Sequence, residues 1–151
     1  MTAVHYFTTE VIHLTGLTFR QIDYWCRVGI IVPKVEADGS GTKREFSIEQ
    51  VRAIALCRRL ADLGMRAPGL TEVYADACDW HEQFWAGIAL VSATGMMTPL
   101  DAATDFDEAC YVVNLDLIVA DLRERIERAP SVGPGIRASD EETRPDGSET
   151  R

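Results

Sequence analysis

The sequence predicts a mainly α fold with a small β component (α+β), and three observations predict it. Two short helical patterns, "TTEVIHLT" and "TFRQIDYWCRV", meet at Gly16. A glycine-rich stretch, "KVEADGSGTKREF", joins two segments able to be strands. "SIEQ" then opens a long helical pattern, and further helix and strand patterns follow it.

Each element has its own local signal. Thr8 or Thr9 is expected to cap a helix reaching about Thr15, with Val11, Ile12 and Leu14 as its apolar members. Gly16 ends it, and Thr18 caps a second helix over residues 19–28. Two helices joined by so tight a glycine turn make a helix-turn-helix arrangement. Gly29 is the left-handed stop, and Pro33 keeps the short run before it extended. Asp38-Gly39 and Gly41 mark the tip of a β-hairpin, a wing, flanked by Lys34, Lys43 and Arg44. Ser47 and Gln50 form a capping box for a helix over residues 48–63, which Gly64 stops. Its apolar members, Val51, Ile54, Ala55, Leu56, Leu60 and Leu63, cover too much circumference for one stripe, so it packs on two sides.

"RAPGL" reads as a break, after which Thr71 caps a helix to about residue 85. Val73, Ala77, Trp80 and Phe84 form one stripe there, and Tyr74, Cys78, His81 and Trp85 an adjacent one. "AGIALVSATG" and "ACYVVN" are expected as two strands, separated by a turn at 95–99 and an acidic loop. "LDLIVADLRERIERA" is an amphipathic helix with Leu115, Ile118, Leu122 and Ile126 on its buried edge and Glu124 and Arg128 paired at i, i+4. From Pro130 the tail is too polar to pack and is expected to be disordered.

Composition narrows the function classes. A chain of 151 residues, 46% hydrophobic and 26% charged, is an ordinary soluble globular protein with one or two small domains. Its start, "MTAVHYFTTE", lacks the pattern of a secretory signal, and no apolar run approaches a membrane span, so the cytoplasm is expected. Four scattered cysteines without a Cys-x-x-Cys pair read as small buried hydrophobes. The formal charge of -9 is unevenly spread. Residues 1–66 hold nine Lys and Arg against seven Asp and Glu, whereas residues 67–151 hold six against seventeen.

The second helix carries two stripes. Phe19, Ile22 and Cys26 are expected to face the core with Trp25 alongside. Arg20, Tyr24 and Arg27, spaced i, i+4, i+7 with Gln21 beside them, occupy another face. That face suits either a solvated helix surface or contact with phosphates and base edges, and spacing alone leaves both open.

The run over residues 7–65 resembles the winged-helix domain of MerR-type transcriptional regulators. "TFRQIDYWCRVGIIVP" is similar to the family's recognition helix with its Gly-hydrophobic-hydrophobic-x-Pro ending, "TKREFSIEQV" to the wing strand entering the next helix, and "RRLADLGM" to that helix's end. "DYW", "GSGT" and "RRLADLG" together lie nearest an actinobacterial and phage subgroup. The resemblance implies that Thr18, Arg20, Gln21, Tyr24 and Arg27 enter a DNA major groove. It puts Lys43 and Arg44 on the phosphate backbone, and Thr9 where first-helix N–H groups meet a phosphate. It further implies a nucleoid-associated homodimer on a two-fold double-stranded operator, no cofactor, and RNA polymerase as a candidate further partner. Asp23 departs from the family's frequent Arg; it is expected to turn aside, orient an arginine or accept from a cytosine amino group. Pro68-Gly69 interrupts the family's usual short helix, and the long dimer helix is not evident. Residues 1–66 are thus expected as the DNA-binding unit, 67–129 as an α+β dimerisation and effector unit, and 130–151 as an acidic tail.

Three rivals stand beside this reading. Tyr74, Trp80 and Trp85, with Phe84, offer aromatic surface for a small-molecule effector, although aromatics at helical spacing more often serve a core or a dimer interface. Cys78 and His81 at i, i+3, completed by Cys110, offer metal ligands, but two core-stripe residues explain the pair more simply and no metal is expected. A DNA-bending architectural role, as in phage excision, would use the same winged helix. Enzymatic activity has little support: "GSG" lacks a phosphate-loop ending, and His5 and His13 stand alone.

Overall fold

A computed structural model describes residues 4–37, 43–100 and 109–129. The hairpin tip, the acidic loop and the tail expected from the sequence lie outside the described residues.

The chain opens with β1 (Tyr6–Phe7) and enters α1 (Thr8–Thr15). Neither Thr8 nor Thr9 caps that helix: Phe7 is the N-cap, and its N–H donates to Glu10 Oε1 at 2.8 Å. A longer side chain three residues on does the capping, which a search for short cap residues overlooks. Gly16 has φ 79° and donates to the Ile12 carbonyl at 2.9 Å. A Cβ there would also collide with the Arg58 guanidinium, which donates to the Thr15 carbonyl at 2.7 Å. Glycine at this turn therefore meets a backbone and a packing requirement at once.

α2 (Phe19–Arg27) is capped as expected, Thr18 Oγ1 accepting from the Gln21 N–H at 3.2 Å and Gln21 Oε1 from the Thr18 N–H at 2.8 Å. β2 (Glu45–Phe46) leads into α3 (Ile48–Asp62) through the Ser47–Gln50 capping box. On α3, Val51, Ala53, Ile54, Leu56, Cys57 and Leu60 are buried, so the helix packs on two sides. Leu63, expected among them, lies past the helix end and is half exposed.

Three expectations after α3 change. "RAPGL" starts a helix instead of breaking one: α4 is Ala67–Cys78. Pro68 sits in its first turn, where the missing N–H has no intrahelical partner to lose. Gly69 lets the helix approach the Ala93 carbonyl, which a Cβ would strike. Thr71 is no cap; its hydroxyl bonds back to the Ala67 carbonyl at 3.0 Å. The helix ends at Cys78, not near residue 85, and a single 3-10 turn, Glu82–Phe84, follows.

Three strands then form an antiparallel sheet: β3 (Ile88–Ser92) in the centre, with β4 (Met97–Pro99) and β5 (Cys110–Asn114) on either side. Part of the segment expected as a turn is the strand β4, its Pro99 at an edge where no ladder N–H is lost. α5 (Leu115–Arg128) closes the fold with Leu115 and Leu122 buried and Ile118 and Ile126 at the margin. Its Glu124–Arg128 pair forms at 3.2 Å.

One hydrophobic cluster runs from Tyr6 through α1, α2, α3 and α4 to Val113 and Leu122. Among the described residues, the small β component and five α-helices give the mainly α, α+β class. No helix among the described residues is long and apolar enough to cross a membrane.

Candidate nucleic-acid interface

α2 buries Ile22 and Trp25 against the cluster, while Arg20, Gln21, Tyr24 and Arg27 are exposed. At 3.6 residues per turn, Arg20, Tyr24 and Arg27 fall within roughly 60° of arc on the side opposite Ile22 and Trp25. Phe19, expected in the core, is 58% exposed. It lies on the flank of the buried stripe, at the first turn of the helix. Pattern reading missed an aromatic offered to whatever this helix meets.

Gly29, with φ 83°, ends the helix, and the Ile30 and Ile31 N–H groups fold back onto the Trp25 carbonyl. The next turn is clamped from two sides: the Val32 carbonyl accepts from Gln50 Nε2 at 2.8 Å and from the Tyr74 hydroxyl at 2.7 Å. Tyr74 thus ties α4 to the exit of α2. Burial raises its phenol well above the ordinary value, and its hydroxyl remains a donor.

The wing differs from a simple hairpin. Val35 bridges to Glu45, but β2 pairs on its other side with β1, in the register Tyr6 to Phe46 and Phe7 to Glu45. The N-terminal strand carried no sequence signal beyond two aromatic residues. Lys43 is exposed, with Nζ 5.8 Å from the centre of the Phe7 ring. Arg44 is only 18% exposed at its side chain, donating to Glu36 Oε1 at 2.8 Å and to Asp23 Oδ1 at 3.1 Å. The second Asp23 oxygen accepts from Arg27 at 3.2 Å. Asp23 therefore orients two arginines, one of the roles expected for it, and Arg44 links helix to wing. Beneath this bridge, burial pushes the Cys26 thiol up to about 11. Thr9 is exposed on the first turn of α1, where the Phe7 N–H is already taken by Glu10.

Residues 6–76 match the family model described as MerR HTH family regulatory protein. Residues 6–76 are thus a MerR-type helix-turn-helix segment. Its similarity extends to mycobacterial proteins, each named an uncharacterized HTH-type transcriptional regulator: Mb1861 of Mycobacterium bovis, and MT1879 and Rv1830 of Mycobacterium tuberculosis. Each is 38% identical over 53 residues, covering 34% of this chain and 24% of the relative. The chain spans about a quarter of the length of these relatives. The MerR segment runs past the 7–65 span of the sequence motifs to take in most of α4, the helix whose Leu70, Val73, Tyr74 and Ala77 are buried.

The remaining candidates lie elsewhere in the chain. Trp80 and Trp85 stack edge to face at 5.2 Å, Trp85 is buried, and with Tyr74 buried as well these rings belong to the packing of the fold. Phe84, placed with them by helical spacing, is exposed because the helix has already ended. For the same reason Cys78 and His81 do not share a helix face. Among the described residues no three metal-ligating side chains come together. Desolvation raises Cys78 to about 11 and Cys57 further, so both stay protonated.

Proposed function

We propose that this chain is a homodimeric, sequence-specific DNA-binding transcriptional regulator. Recognition helix α2 enters the major groove, with Arg20, Gln21, Tyr24 and Arg27 on base edges and Thr18 and Thr9 on neighbouring phosphates. Lys43 follows the backbone from the wing. Residues 67–129 supply self-association, and the operator is a two-fold double-stranded site. The observation that carries this reading is the exposed cationic face of α2, opposite its buried Ile22 and Trp25, inside a segment of MerR sequence. Favouring a regulator over an excision-type architectural protein, the mycobacterial relatives carry regulator names.

The test is selection of binding sites from a random duplex pool with the full chain, followed by gel shift on the enriched site. An inverted repeat retained by the parent and lost by Arg20→Ala supports the reading. Enrichment of no sequence above background overturns it.

A further inference from the structure

We infer that the face built by α3, α5 and the outer side of the β3–β5 sheet seats a second copy of this chain. The inference rests on the homodimer reading and gives that dimer its surface, which residues 67–129 share with α1 and α3. An open cleft of about 640 Å³ lies there, with Leu14, Ala55, Ile88, Val112, Leu117 and Ile118 as its apolar wall. The antiparallel register explains why the sheet contributes to it. Ala89 pairs with Val113 on the buried side, while Leu90 pairs with Val112 on the other. Ile88 remains 39% exposed and Val112 and Leu117 each 61%. Three branched aliphatic side chains converging on one cleft are surface that association removes from water.

Charge selects the occupant. The rim carries Arg58, Arg59 and Arg125 together with Asp62 and Asp121. A two-fold interface lays a patch against itself, so a rim of one sign would repel its own copy and a rim of both signs can pair across the axis. Arg58 and Arg125 are partly engaged with Asp62 at 3.5 Å and Asp121 at 2.9 Å on their own helices. Arg59 has no side-chain partner among the described residues and is the cation left for a partner's carboxylate. No lining residue comes from α2 or the wing, so a copy seated here leaves both groove-facing helices uncovered.

Sedimentation of the full chain over a concentration range, with Val112→Glu/Leu117→Glu and Arg59→Glu in parallel, tests this. The parent is expected to be a dimer, and the double variant to raise its dissociation constant at least about tenfold while keeping the parent's circular dichroism, since both side chains are exposed. Should the double variant fail to fold, Arg59→Glu carries the test: it is expected to weaken association and reduce its dependence on salt. Folded variants that dimerise as tightly as the parent overturn this surface and leave the homodimer reading standing. A parent that is monomeric throughout overturns both. A monomeric parent binding anilinonaphthalene sulfonate saturably, with binding lost in the double variant, makes the cleft a small-molecule site and likewise overturns the proposal.

Discussion

Asp23 holds Arg27 with one oxygen and Arg44 with the other, and on the proposed reading this changes what each cation offers to DNA. Arg20 has no such tie among the described residues and sits, exposed, in the first turn of α2. Arg20→Ala is expected to weaken operator binding by about 1–3 kcal/mol if the guanidinium reads a base edge, as gel-shift titration measures. Lys43 and Arg44 are adjacent in sequence yet differ in exposure, so different effects are expected of them. Lys43→Ala is expected to weaken all duplexes alike and to lower the salt slope by about 1. Arg44→Ala removes bonds to Glu36 and Asp23, so it is expected to reduce affinity with little change in slope, through loss of the helix-to-wing link. Equal slope losses for the two variants would return Arg44 to the phosphate backbone.

At the scale of the element, caps and first turns decide where the helices lie. Thr18 as a cap and Ser47 with Gln50 as a capping box were readable because each is a short local pattern answered within three residues; the return bond from the Thr18 N–H to Gln21 came only with the structure. Thr18→Ala is expected to cost about 1 kcal/mol of stability, measured as a shift in the denaturant midpoint. α4 was misread because Pro and Gly break a helix only in its interior; in the first turn proline is harmless. The glycine there answers to Ala93, which lies 24 residues away in sequence. Phe19 was misplaced for a related reason: period alone does not say which end of a helix overhangs the core. Tyr74 belongs at this scale too. Tyr74→Phe removes one of two donors to the Val32 carbonyl and is expected to loosen the exit of α2, seen as faster amide exchange at Ile30 and Ile31.

Across the whole molecule a single apolar cluster joins the MerR segment to the sheet and α5. Leu70, 3% exposed on α4, lies within it. Leu70→Ala is expected to cost about 2–5 kcal/mol and to lower one cooperative transition that includes the helix-turn-helix. Two separate transitions, with only one of them shifted, would contradict a shared core. Alkaline pH acts in the same place. Burial raises Cys26 and Cys78 from 9.0 to about 11, so the unfolded chain releases these protons first. Their contribution is fully present below pH 9 and is lost as pH rises toward 11. The denaturant midpoint is expected to fall across that window, and less steeply in Cys26→Ser.

By itself, the sequence determined the helix-turn-helix, the Thr18 cap, the Ser47–Gln50 capping box, the two-sided packing of α3 and the cationic stripe of α2, because each rests on residues within one or two turns of each other. It also determined which half of the chain bears the acid. Only the tertiary structure decided that Asp23 braces two arginines, that β1 completes the wing, that Tyr74 clamps the turn after α2, and that the C-terminal strands leave an apolar face open. The Asp23–Arg44 bridge, the β1–β2 pairing and the Tyr74–Val32 bond join residues 21 to 42 positions apart, and a pattern of period 2 or 3.6 carries no information over such separations.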